Sequence, residues 1–196
     1  MNRLVFCFWL ALGGFVSAEW NQFRGPNGSG VLAESEAPLR IGAENLAWKV
    51  EVPAGLSSPV ISGGRVFLTA SQGEKMETLG FDSSDGKLIW RSAAPGIATE
   101  RVHEGNSRAS ATPYADGERV VVYFGSFGLI AYDYEGQELW KMPIETPKTM
   151  YGMSTSPIGH GSNVIMVLDN DQNLPDSELS RSRMIAVNRK SGELVW

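Results

Sequence analysis

The sequence predicts an all-β fold, a β-propeller of four-stranded antiparallel blades, with about three blades present of a ring of about seven or eight. One phrase carries most of that prediction. It reads Asp82-Ser-Ser-Asp-Gly86-Lys-Leu-Ile-Trp90, then Asp133-Tyr-Glu-Gly136-Gln-Glu-Leu-Trp140, then Asn188-Arg-Lys-Ser-Gly192-Glu-Leu-Val-Trp196. Each Gly precedes its Trp by four residues, and a small residue (Gly80, Ala131 or Ala186) stands two positions before the Asp or Asn. A phrase returning at a roughly constant period marks a repeat architecture. The second observation is negative: no stretch keeps a 3.6-residue apolar period over ten or more positions, whereas short β-branched and aromatic runs alternate with Gly- and Asp-containing turns.

In chain order, residues 1–18 read as a cleaved signal peptide. Asn2-Arg3 is a short basic head, Leu4 to Val16 is apolar, and Val16-Ser17-Ala18 has the small-x-small character of a processing site. Thirteen apolar residues are too few to span a bilayer, which takes roughly 20. An exported, periplasmic or extracellular protein is expected, with no transmembrane segment in the mature chain. The single cysteine, Cys7, lies inside the leader, so stability is expected to come from the core and the sheets rather than from disulfides. Residues 19–44 form a turn-rich N-terminal loop segment. Gly25 to Gly30 has no Gly-Lys-Ser/Thr after it and no strand before it, so it reads as a surface loop rather than a phosphate cradle.

The partial propeller is expected over 45–196. Leu46 to Val52 alternates around Trp48 and reads as a closing strand of the last blade (45–52), pairing with strands not contained in this chain. Blades follow at 57–92, 109–142 and 154–196, the last incomplete because Trp196 ends the chain in the middle of a repeat. Each blade opens on Ser/Thr-Pro (Ser58-Pro59, Thr112-Pro113, Ser156-Pro157), and turns follow at Gly63-Gly64, Asp116-Gly117 and Gly159-His-Gly161. The repeated Trp is large enough to fill the gap between blades, with its indole N–H left to find a carbonyl. The Asp or Asn can cap the turn, and the Gly supplies its positive φ. Trp48, Asp82, Gly86, Trp90, Asp133, Gly136, Trp140, Asn188, Gly192 and Trp196 are therefore read as blade-docking residues.

The long connections are 93–109, 142–153, 71–75 and 169–183. In an up-down meander these two classes of connection emerge on one side of the ring, so the binding face is expected there. Within it Arg101, His103, Asn106, Ser107, Arg108 and Tyr151 are the candidate ligand- or partner-binding residues. His103 with Ser107 or Ser110 also invites a Ser–His reading, but no nucleophile-elbow pattern surrounds either serine, and loop hydrogen bonding is the preferred account. Asp169, Asp171 and Asn173 resemble the start of a calcium loop, yet Leu174 stands where that loop needs Gly and Ser180 where it needs Glu. The net charge of −5 with no basic run argues against nucleic acid.

The phrase Gly80-x-Asp82-x-x-x-Gly86-Lys87-x-x-Trp90 resembles the tryptophan-docking repeat of pyrroloquinoline-quinone (PQQ) propeller proteins. The second copy is one residue shorter, and Asn188 replaces Asp in the third. Trp20-Asn-Gln-Phe-Arg-Gly-Pro26 and the stretch from Ala111-Thr-Pro113 to Gly125-Ser-Phe-Gly128 resemble secreted bacterial members of the PQQ-like β-propeller repeat group. The resemblance implies one of two activities. One is a scaffold that binds a protein or polymer partner on the long-loop face. The other is a PQQ- and calcium-dependent alcohol or sugar dehydrogenase whose catalytic residues lie mostly outside this stretch. No catalytic residue is assigned, since nothing here matches the dehydrogenase base, calcium ligands or vicinal cysteines. PQQ and calcium follow from resemblance only, and a non-catalytic binding protein is the expectation.

Overall fold

The computed structural model describes residues 19–32, 38–96, 99–171 and 181–196. The expected signal peptide lies outside them. Eleven strands are present among the described residues, with two short 3-10 turns and no α-helix. The first sheet holds β1 (Val60–Ser62), β2 (Arg65–Gln72), β3 (Lys75–Asp82) and β4 (Leu88–Ala93). The second holds β5 (Tyr114–Ala115), β6 (Arg119–Phe124), β7 (Gly128–Asp133) and β8 (Glu138–Pro143). The third holds β9 (Ile158–His160), β10 (Asn163–Leu168) and β11 (Arg183–Asn188). Each is an antiparallel meander in sequence order, which leaves β1, β5 and β9 at a sheet edge. The expected fourth strand of the third blade is reduced to a single bridge between Val187 and Leu194.

The sheets stack face to face, and β6 shows why this run of Val-Val-Val-Tyr-Phe has no polar face. Val120, Val122 and Phe124 pack with Phe67, Met76 and Trp90 of the first blade. Val121 and Tyr123 pack with Val164, Met166 and Ile185 of the third. A strand covered on both sides reads as a continuous apolar run, and the strand period of two sends alternate residues to alternate neighbours.

The repeated phrase builds the same object at each copy. Asp82 Oδ1 accepts the Ser84 N–H at 2.8 Å, Asp133 Oδ1 accepts the Glu135 N–H at 3.0 Å, and Asn188 Oδ1 accepts the Lys190 N–H at 2.9 Å. The glycine that follows sits at φ +74°, +87° and +73° in Gly86, Gly136 and Gly192. Its missing side chain leaves room for the indole of the preceding blade: a Cβ there would lie 2.6 Å from Trp48, Trp90 and Trp140 respectively. The indole N–H of each donates to the carbonyl just after the Asp or Asn, from Trp48 to Ser83 at 2.9 Å, from Trp90 to Tyr134 at 2.9 Å and from Trp140 to Arg189 at 3.0 Å. Trp196 is 56% exposed.

A second link repeats on the Ser/Thr-Pro openings. The Ser58 N–H donates to Thr112 Oγ1 at 3.0 Å, and the Thr112 N–H donates to Ser156 Oγ at 2.9 Å. The opening hydroxyls of the second and third blades thus accept the equivalent amide of the blade before them.

Residues 45–52 carry no strand: apart from the end of a 3-10 turn at Asn45 they are irregular, and Trp48, Val50 and Val52 lie over Ile61, Val66, Leu68 and Phe81 of the first sheet, lining an apolar hollow of about 400 Å³. The connection at 71–75 is not long. The β2–β3 ladder continues to Gln72 opposite Lys75, and the positive φ of Gly73, +61°, lets the chain reverse at once.

Candidate binding face

The long connections β4–β5, β8–β9 and β10–β11 lie together with the short β6–β7 turn. Ser126 Oγ accepts the N–H groups of Thr99 and Glu100 at 3.1 and 2.9 Å. The Ile144 N–H donates to Phe127 O at 2.8 Å, Asn170 Oδ1 accepts the Lys148 N–H at 3.0 Å, and Asp171 Oδ1 accepts the Met150 N–H at 3.0 Å. One face therefore carries a mutually bonded set of loops.

Of the candidate residues, His103, Asn106 and Tyr151 are brought into contact. The Tyr151 carbonyl accepts from the His103 N–H at 3.2 Å and from Asn106 Nδ2 at 2.8 Å. The His103 and Tyr151 rings meet edge to face, with centroids 5.4 Å apart. His103 Nδ1 accepts the Gly105 N–H at 3.1 Å. Ser107 Oγ accepts the Ala109 N–H, and the single Ser110 hydroxyl hydrogen is within reach of both Asn106 Oδ1 and Ser107 O. The serine hydroxyls are thus engaged in the loop's own hydrogen bonds. Arg108 Nε donates to Glu100 O at 3.0 Å, and Arg101 is exposed. Tyr151 is 58% exposed and Met150 55%. An aromatic and a thioether side chain are thus displayed from a backbone that is held on both sides.

Sequence reasoning did not single out Glu100, which is 2% exposed. Its Oε1 accepts the Met153 N–H, and it packs where Gly125 has no side chain, since a Cβ there would lie 2.3 Å from Oε2. Burial raises its pKa above 4.5, and the Met153 bond and Arg108 oppose that shift only in part. Glu100 Oε2 and the Tyr123 hydroxyl are both buried without a hydrogen-bond partner. Burial, and secondarily the Glu100 charge, push the Tyr123 phenol up as well. The only local signal would have been Gly125, whose need for space appears once the loops meet.

A polar cleft of about 210 Å³ adjoins this face, lined by residues including Thr146, Lys148, Asn170, Arg181 and Arg183. Asp169 Oδ1 accepts from the Ser182 hydroxyl at 2.9 Å, and Asp171 is held to Met150 as above; Asn173 lies outside the described residues. Among the described residues, no three His, Cys, Asp or Glu side chains converge. They supply no ready ligand set for calcium or for calcium-held PQQ. No described helix is long and apolar enough to cross a membrane.

The model of a family described as outer membrane protein assembly factor BamB matches residues 42–196. No curated protein sequence matches the chain. Among solved structures, the quinohemoprotein alcohol dehydrogenase from Comamonas testosteroni is similar with a TM-score of 0.58 at 17% identity, over 91% of this chain and 27% of that one. Quinohemoprotein alcohol dehydrogenase ADHIIG from Pseudomonas putida HK5 gives 0.53 at 18% identity, over 78% of this chain and 22% of that one. BamB from Moraxella catarrhalis gives 0.46 at 17% identity, over 76% and 54%, a likeness too loose to carry weight. The chain spans about a quarter of the length of the two dehydrogenases, and at these identities the likeness speaks to fold alone.

Proposed function

The chain belongs to the family described as outer membrane protein assembly factor BamB, the PQQ-like propeller repeats, and from that premise we propose that it is an exported, non-catalytic β-propeller that binds a protein or polymer partner on its long-loop face. The observation that carries the reading is the display of Tyr151. The residue is more than half exposed, yet its backbone carbonyl is held by His103 and Asn106. A large amphipathic side chain on a pre-ordered backbone loses little entropy on binding, as interface anchors do. His103 stands beside it and Met150 precedes it, giving a mixed aromatic and apolar patch rather than an enclosed pocket. The polar side chains nearby are engaged in holding loops, which suits a recognition surface better than proton transfer.

The second reading is a PQQ- and calcium-dependent dehydrogenase, favoured by the fold shared with two quinohemoprotein alcohol dehydrogenases. The full protein incubated with PQQ, calcium and a redox dye separates the two. The binding reading predicts no saturable oxidation of alcohols or sugars. Saturable turnover that depends on both additions would overturn it.

A further inference from the structure

We infer that residues 20–22 are an intramolecular clasp that joins the inner edges of three consecutive blades, one residue to a blade. Trp20 forms a two-bond bridge with Ile61 in β1, its N–H donating to Ile61 O at 2.8 Å and its carbonyl accepting the Ile61 N–H at 2.9 Å. The Asn21 carbonyl accepts the Ala115 N–H of β5 at 2.8 Å. Gln22 Oε1 accepts the Gly159 N–H of β9 at 3.2 Å. Ile61, Ala115 and Gly159 are equivalent positions, each three residues after the Ser or Thr that opens its blade. Three neighbouring residues therefore meet one position of the repeat three times over.

The contacts fall where the fold needs them. β1, β5 and β9 are edge strands, and an unpaired edge amide is a standing template for another strand. Gln22 is 9% exposed, and its bond to Gly159 is partly buried. The Trp20 ring lies against Gly25, where a Cβ would come within 2.4 Å. The chain beyond closes on itself through the Gly30 N–H to Arg24 O at 2.7 Å and Arg24 Nε to Gly28 O at 3.1 Å. Glu19 Oε1 also accepts the N–H of Gly63 in the β1–β2 turn. The clasp thus sits toward the tight-turn end of the blades. It occupies the inner edges at these positions against an added strand, leaving the approach from the long-loop end unobstructed by this segment. The inference does not depend on what binds there.

Amide hydrogen exchange on the whole chain tests it. Gln22→Ala is expected to speed exchange at Gly159 about tenfold, the loss of one partly buried bond, while Gln22→Glu keeps an acceptor and leaves Gly159 protected. Gly25→Val, which drives a side chain into the Trp20 ring, is expected to speed exchange at Ile61, Ala115 and Gly159 together while the β6–β7 ladder stays protected. Unchanged exchange at Gly159 in Gln22→Ala would overturn the clasp, as would a rise spread evenly over all three sheets.

Discussion

Trp90 shows how much one side chain is asked to do. It is 9% exposed, donates its indole N–H to Tyr134 O, and lies against Gly136 of the next blade. Trp90→Ala removes the ring and leaves a cavity between blades, a change that costs about 3–5 kcal/mol. Denaturant unfolding should register that loss. Glu100 makes the opposite kind of contribution. Its folded-state pKa is raised by burial, so the protonated carboxyl is the form the fold prefers. The stability it confers is complete below the unfolded-state value and is lost as pH rises through the raised folded value. Glu100→Gln keeps an acceptor for the Met153 N–H without the buried charge. It should abolish that part of the pH dependence and leave the protein more stable than the parent at neutral pH. Unfolding midpoints across pH would show it.

At the scale of elements, two inter-blade devices recur, and they differ in how readable they are. The Asp/Asn-Gly-Trp phrase announces itself because its parts are rare residues at fixed spacing, each demanded by one turn. The Ser/Thr-Pro openings are equally regular, but nothing local says that the hydroxyl of one blade accepts the amide of the blade before it. That needs the stacking to be known. Thr112→Val keeps the shape and removes the acceptor for the Ser58 N–H. It should cost about 1–3 kcal/mol, the penalty for leaving a shielded donor unpaired, while Thr112→Ser should cost much less; thermal unfolding of the pair would compare them. Local reading also failed at 71–75, where a two-residue hairpin looks like a loop because Gln72 and Lys75 are polar but paired. Glu100 was invisible for a related reason: in sequence it differs in no way from Glu104, which is exposed. Only the meeting of the β4–β5 connection with Gly125 and Met153 buries it.

Across the whole molecule, two of the three core clusters among the described residues flank the second sheet, one shared with each neighbouring blade, and the third lies between the first sheet and Trp48. Stability in such a stack is mostly nearest-neighbour, so each interface should respond to mutation nearly independently. The binding function proposed above rests on the connections rather than the sheets. On the long-loop side the connections bond to one another and display Tyr151; on the other side the turns are short and bear the clasps. A photo-crosslinking residue placed at Tyr151, and separately at Gln137 on the tight-turn side, in the full protein within its native host compares the two faces directly. The account predicts a discrete, saturable adduct from position 151 and none from 137. An adduct from 137 alone, or equal adducts from both, would contradict it.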